Sequence, residues 1–418
     1  MINVKVIDVL DVGCGSRPKG TVNVDLFYEP YQRAGETETL KNMKIPNFVR
    51  ADAHQLPFKD EAFDLITSSH LLEHCLYPYQ VLKELKRVSK SLVYLEIPYG
   101  DKTPDTCPYH LYSWTLNSFE HLLKQVFPYC YVWTTERIAH EARKKVRRLS
   151  DLLMITLRKL HYNLVHRTQI SALCSVKAVK VVYTVADVGN LVKLALKSIR
   201  TVRKFFEKED ILIYYTRPRS ERNKKKLERH STVIEAETLT EPFSFRKGSA
   251  PQYYGEKVHL CEVDADTVIF LDADTKVKRN PILLLAGDYD FSARKGSVNE
   301  ILDLSIWESI FKAENLTAIP MPNAGFMIFK NNLHKRIFKD WLKYMHQDLP
   351  NPTPQGNYLK DQIALALALA KNNAKIKWMT EKEHAFTWCG ELGLGSYVVH
   401  GKINPIRAKL ALLRRRLL

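Results

Sequence analysis

The chain has no apolar run approaching the roughly 20 residues that a bilayer-spanning helix needs, which argues against a membrane-embedded protein. Its seven cysteines, at positions 14, 75, 107, 130, 174, 261 and 389, form no Cys-x-x-Cys pair and no zinc-like spacing. That pattern favours free thiols in a reducing compartment over a disulfide framework. No secretory signal opens the chain, because Met1 to Leu10 runs directly into a strand and a motif. An aromatic-rich platform for single-stranded nucleic acid is also missing. Together these absences predict a cytoplasmic protein.

What is present is a chain of 418 residues, 45% apolar and 26% charged, too long for one growing core and therefore expected to form two globular domains. The net charge of +17 is unevenly spread: basic against acidic residues number 14 to 16 over 1–135, 9 to 3 over 136–170, and 40 to 27 over the remainder. The basic excess thus belongs to the middle and the C-terminal half. Such a field attracts nucleic acid, anionic lipid or a phosphorylated substrate, and charge alone does not choose among them.

Val268 to Leu271 is a four-residue apolar run that suits a central strand of a parallel sheet, buried on both faces. It ends in Asp272-Ala273-Asp274, where an open α/β sheet places its ligand. Two carboxylates at that spacing can converge on one hard divalent cation, which in turn holds phosphate oxygens. Upstream, Ala178 to Val185 reads as a first strand, Leu191 to Phe206 as an amphipathic helix and Ile211 to Tyr215 as a second strand, a right-handed parallel unit.

Leu271 to Val277 resembles the Asp-x-Asp strand end of GT-A nucleotide-sugar glycosyltransferases of the glycogenin and lipopolysaccharide-galactosyltransferase kind. Asn323-Ala324-Gly325, Lys360-Asp361-Gln362 and His400-Gly401-Lys402 resemble that family's later segments, in its order. The resemblance implies Asp272, Asp274 and His400 as ligands of Mn²⁺ or Mg²⁺, the nitrogen donor favouring Mn²⁺. It further implies a nucleotide-sugar donor, UDP-linked, with Thr184 and Asp187 on the base side. Lys257, Asn323, Gly325 and Lys402 would line the rest of the donor, and Asp361 would contact the sugar or the acceptor. The family's Pro-Trp ending is absent after Lys402.

In the first 136 residues, Val4 to Val12 is an apolar strand followed by Gly13-Cys14-Gly15, and Val22 to Asp25 a second strand ending in an acid able to bind a ribose. Ala51-Asp52-Ala53, the buried strand Ala62 to Ile66, Leu71-Leu72-Glu73-His74, Val81 to Val88 and His110 to Trp114 follow. This succession resembles small class I S-adenosylmethionine-dependent methyltransferases. The resemblance implies that Asp11, Gly13 and Gly15 cradle the methionine part of the cofactor, Asp25 its ribose, and Asp52 with Ala53 its adenine. Methyl transfer to a hydroxyl needs in-line positioning and a base; His70, Glu73, His74 and His110 are the candidates. Only ten positions separate Gly15 from Asp25, so a loop with Arg17, Pro18 and Gly20 must replace the usual helix.

Residues 137–176 read as a basic amphipathic helical linker, with a leucine stripe behind Arg143-Lys144-Lys145, and 404–418 as a second basic amphipathic helix. Such helices pack on their own domains or touch an anionic membrane face. The expected organisation is an α/β protein of two domains: a Rossmann-like methyltransferase fold over 1–136 and a GT-A fold over 177–403. The expected function is a bifunctional enzyme acting on a glycan or lipid-linked glycan, at the inner face of the membrane if attached at all. The rivals are a glycosyltransferase with a silent methyltransferase-like scaffold, and a methyltransferase directed at nucleic acid; the slightly acidic first domain disfavours the latter.

Overall fold

A computed structural model describes residues 7–26, 45–100, 109–136, 167–244, 252–353, 358–391, 393 and 395–401. Lys402, residues 137–166 of the expected linker and the expected helix at 404–418 lie outside them. The chain divides into two compact units, Met1–Lys177 and Ala178–Leu418.

In the first unit β1 (Val9–Val12), β2 (Val22–Asp25), β3 (Phe48–Arg50), β4 (Phe63–Ser69), β5 (Ser89–Pro98), β6 (Tyr129–Glu136) and β7 (Arg167–Ser175) form one seven-stranded sheet, ordered β3-β2-β1-β4-β5-β7-β6. The strands from β3 to β5 are parallel, and β7 runs antiparallel to both β5 and β6. Helix α1 (Pro78–Val88) starts on a proline and buries Val81, Leu82, Leu85 and Val88, one stripe at helical spacing. Helix α2 (Leu116–Lys124) is closed by a reciprocal Thr115–Ser118 capping box. No helix lies between β1 and β2, as the ten-residue spacing requires.

The expected boundary at 136 and the helical linker to 176 need correction over their last part. Residues 167–175 are a strand of the first sheet, not a connector. Ile170, Ala172 and Cys174 are fully buried there, and the ladder pairs Cys174 with Val93 on one side and Cys130 on the other. The six described cysteines are free thiols, with Cys130 and Cys174 in sulfur contact at 2.7 Å.

The second unit holds β8 (Val179–Ala186), β9 (Ile211–Thr216), β10 (Thr232–Glu235), β11 (Thr267–Leu271), β12 (Thr275–Val277), β13 (Phe291–Lys295), β14 (Pro322–Phe329), β15 (Ile376–Met379), β16 (His384–Phe386) and β17 (Val398–His400). The main sheet is ordered β10-β9-β8-β11-β14-β13-β15, and β12-β17-β16 forms a small second sheet. Helices α3 (Leu191–Val202), α4 (Glu221–Glu228), α5 (Leu304–Ala313), α6 (Leu333–His346) and α7 (Lys360–Lys371) complete the unit. This is a mixed α/β arrangement, as expected. Strand β11 is buried along its whole length, as its unbroken apolar run predicts. It is not in a purely parallel sheet, however: β8 is parallel to it and β14 antiparallel. Two-sided burial, not strand direction, is what an unbroken apolar run reports. Among the described residues no helix is long and apolar enough to cross a membrane.

The 3-10 segment Tyr254–Glu262 packs His259 between Glu256 and Glu262, at 3.2 and 2.9 Å. Burial opposes protonation of His259, but its bonds to the two acids outweigh that and raise its pKa above the ordinary 6.5. Glu256 meets the same burial, and hydrogen bonds from His259, Thr240 and the amides of Leu239 and Thr240 leave its pKa below 4.5. The histidine's contribution to stability is therefore complete below pH 6.5 and lost as pH rises through its raised folded value. That of Glu256 is complete above pH 4.5 and lost as pH falls through its lowered one. Urea midpoints recorded from pH 5 to 9 should decline on the alkaline side, and His259→Phe should flatten that decline.

Candidate active sites

At the end of β11 the chain turns sharply: the Thr275 amide and hydroxyl both donate to the Asp272 carbonyl, at 3.1 and 2.7 Å. The Asp272 amide is tied to the Gly325 carbonyl of β14 at 2.8 Å. Strand β12 then pairs with β17 so that Thr275 stands opposite His400. That ladder brings a residue from near the end of the chain onto the acid pair. His400 Nε2 lies 3.1 Å from Asp274 Oδ1 and 3.7 Å from Asp272 Oδ2. One ligand atom from each of Asp272, Asp274 and His400 falls within 4.8 Å of the others.

Gly325 makes room for this ring. A Cβ at that position would sit 1.9 Å from His400 Cε1, so the glycine serves close approach and not an unusual φ. On its other side the imidazole stacks on buried His384, with ring centroids 5.5 Å apart and nearly parallel, and meets the ring of Trp388 edge-on. Lys257, buried on the 3-10 segment, reaches Asp272 at 3.3 Å and Asp361, in the first turn of α7, at 3.1 Å. Burial alone would lower the pKa of Lys257, but the two carboxylates more than offset it and keep the ammonium charged. Burial also opposes ionisation of both site acids. At Asp272 it prevails, and the carboxyl sits above its ordinary range despite Lys257 and His400; at Asp274 the bond from His400 prevails and holds it below.

The remaining donor-side candidates are placed around this centre to different degrees. Asn323 accepts the Gly325 amide at 3.0 Å on its own strand. Thr184 and Asp187 lie at the carboxyl end of β8, the parallel neighbour of β11. Asp187 caps no helix; its carboxylate takes hydrogen bonds from Ser220 at 2.6 Å and Asn223 at 3.0 Å. None of these links joins it to the acid pair.

In the first unit Gly13 and Gly15 both have positive φ, +75° and +50°, and the Gly13 and Cys14 amides fold back to the Val24 carbonyl. The Gly15 amide donates to Asp25 Oδ2 at 3.0 Å, which couples the glycine loop to the acid ending β2. Asp11 is buried, accepting from the Lys19 amide and the Thr67 hydroxyl; burial nevertheless raises its pKa. Asp52 is exposed and bound to His54 at 2.7 Å, with Ala53 buried beside it. His70, Glu73, His74 and His110 gather at the end of β4: His70 Nδ1 is 3.3 Å from Glu73, and the His74 and His110 rings are 4.8 Å apart.

Two groups escaped the sequence reading. Glu96, at the end of β5, accepts from Ser69 and Tyr94 at 2.7 and 2.6 Å, and His384 backs His400. Neither carries a local motif, and only strand pairing reveals them.

Residues 10–97 match the family described as a methyltransferase domain. The matched stretch lies in the first unit and runs from β1 into β5. An uncharacterized methyltransferase of Schizosaccharomyces pombe is 37% identical over 99 residues, covering 20% of this chain and 36% of that protein. A malonyl-[acyl-carrier protein] O-methyltransferase of Marinomonas sp. is 33% identical over 93 residues, covering 20% and 34%. The chain thus spans about a third of the length of these relatives. Among solved structures, the galactosyltransferase LgtC with donor and acceptor sugar analogs covers 54% of this chain and 87% of its own, at 16% identity and a TM-score of 0.38. That likeness is too weak to bear on activity.

Gly325→Ala should push the His400 ring off the acid pair. Manganese affinity, followed by the electron paramagnetic resonance of free Mn²⁺, should fall about tenfold or more, in line with other substitutions that misorient a metal ligand. Unchanged affinity would mean that His400 does not ligate.

Proposed function

We propose that the protein is a bifunctional glycan-modifying enzyme: its second unit transfers a sugar from a nucleoside diphosphate, and its first methylates a hydroxyl from S-adenosylmethionine. The convergence of Asp272, Asp274 and His400 carries the first half of this reading. Two carboxylates and one imidazole, with a lysine held behind them, fit a divalent cation of the Mn²⁺ type better than any charge-neutral ligand. Bound there, the ion would offset the negative charge that grows on the departing diphosphate. In the transfer, the bond from anomeric carbon to diphosphate oxygen breaks with its electron pair staying on oxygen. The acceptor oxygen bonds to that carbon and gives up its proton, which the departing diphosphate oxygen takes.

The chain's own residues hold this geometry. Lys257 fixes Asp272 and Asp361 with respect to each other, and Asp361 offers an acceptor oxygen to a sugar hydroxyl. Thr184 and Asp187 shape the base end, Asn323 and Gly325 the sugar end, and Lys402 the diphosphate. The peripheral membrane contact assigned to the basic segments, and a lipid-linked acceptor, suit the charge distribution.

In the first unit Asp11, Gly13 and Gly15 would hold the methionine part of the cofactor, Asp25 its ribose and Asp52 with Ala53 its adenine. The acceptor oxygen bonds to the methyl carbon as the carbon–sulfur bond breaks, its pair staying on sulfur, and the hydroxyl proton passes to a base among His70, Glu73 and His110. A groove of about 820 Å³ lined by Tyr77, Tyr79, Lys83, Tyr112 and Trp114 offers aromatic faces on which a pyranose can stack.

Incubation with Mn²⁺ and a panel of nucleotide sugars should give metal-dependent hydrolysis of one donor, and Asp274→Asn should slow it about a hundredfold or more. No hydrolysis and no donor binding would overturn the sugar-transfer half. Calorimetry with S-adenosylmethionine should show one site, lost in Asp25→Ala; no heat from the wild type would leave the first unit a silent scaffold.

A further inference from the structure

A second set of metal-ligating side chains lies in the first unit, far in sequence from the acid pair of β11. Strand β4 ends at Ser69, and His70, with φ +56°, breaks its direction. A single 3-10 turn, Leu72–His74, then presents Glu73 and His74 together. The Glu73 carbonyl accepts the amides of Leu111 and Tyr112, at 2.7 and 3.3 Å, and this clamp sets His110 beside His74. One ligand atom from each of Glu73, His74 and His110 lies within 4.8 Å of the others.

The decisive observation is Glu73. Its side chain is only 1% exposed, and neither carboxylate oxygen has a hydrogen-bond partner. His70 Nδ1 stands 3.3 Å from one oxygen, within ion-pair reach but outside hydrogen-bond geometry. A buried carboxylate left in that state costs several kcal/mol unless a cation or a proton compensates it. Two imidazoles at its side make a cation the fitting partner. The ring of His74 is already oriented: Nδ1 lies 3.1 Å from the Tyr109 carbonyl, which can only accept, so Nδ1 carries the proton and Nε2 is left as the donor atom. That carbonyl-to-imidazole link is how proteins commonly fix a ligating histidine.

We infer that Glu73, His74 and His110 form a second metal centre, which takes a first-row divalent cation such as Zn²⁺ or Mn²⁺. One carboxylate and two imidazoles select against Mg²⁺ and Ca²⁺, which take all-oxygen sites. Three protein ligands leave a coordination position open for a substrate oxygen. The centre adjoins the glycine loop, since a Cβ on Gly13 would meet Leu71, two residues before Glu73, at 3.1 Å. Its task, which rests on the methyltransferase reading above, is to hold an acceptor hydroxyl. His70, exposed at the rim, is left as the base, while Glu73 and His110 become ligands.

The test uses the full chain with Asp272→Asn and Asp274→Asn, which removes the ion assigned to the second unit. Dialysis against Zn²⁺ followed by elemental analysis should find one ion per chain. Adding His110→Ala or the isosteric Glu73→Gln should weaken zinc binding well beyond the 10- to 100-fold typical of an outer-shell change. Unchanged far-ultraviolet dichroism and thermal midpoint would verify that both variants fold. Cobalt substitution should give a visible absorption band that His110→Ala abolishes. Absence of the ion in the doubly substituted chain, or an ion indifferent to both added changes, would overturn the centre. Calorimetry with S-adenosylmethionine reports separately: retained cofactor binding in His110→Ala is expected, whereas failure of the wild type to bind it would sink the acceptor role and leave the metal count standing.

Discussion

The second unit is organised around an electrostatic problem: two carboxylates at the tip of a buried strand, close enough to share one ligand. In a low-dielectric setting two such charges repel by several kcal/mol unless cations compensate them. The fold supplies two positive groups from distant places. Lys257 arrives from the 3-10 segment just upstream and His400 from β17, near the end of the described chain. The β12–β17 ladder exists to deliver the second of these, and Gly325 on β14 leaves the volume that its ring fills. Remove any one of the three and the acids face each other with less compensation.

Both units obey the same geometric rule on unrelated sheets. Parallel strands end together, and the side chains and loop amides at their carboxyl ends converge on one edge. In the first unit β1, β2 and β4 bring Asp11, the glycine loop, Asp25 and His70 to that edge; in the second, β8 and β11 bring Thr184, Asp187 and the acid pair. The Gly15 amide donates to the Asp25 carboxylate, so the glycine loop and the end of β2 are tied together at that edge.

What could be read from the sequence was whatever is local. The run Val268 to Leu271, the acids that follow it and the glycine loop after β1 are contiguous, and each sits where a strand period stops. The final strand of the first sheet was not legible. Arg167 to Ser175 follows a basic, leucine-striped stretch, and its partners β5 and β6 are separated from it by tens of residues. Lys257 was picked out only through the resemblance; its pairing with acids 15 and 104 positions further on was not legible, because a lone lysine reads as solvent-facing. His384 shows no pattern at all until β16 and β17 are laid side by side.

The placement of β7 carries one more consequence. Because this strand lies between β5 and β6 and is the last of the first unit to be made, the first sheet is incomplete until the ribosome has passed residue 175. A nascent chain stopped at 136 would expose the flank of β5 and leave β6 without β7, the neighbour it pairs with among the described residues. The strands on either side of residues 137–166 are therefore antiparallel neighbours in one sheet, and the closure entropy of a connection between such neighbours grows only slowly with its length.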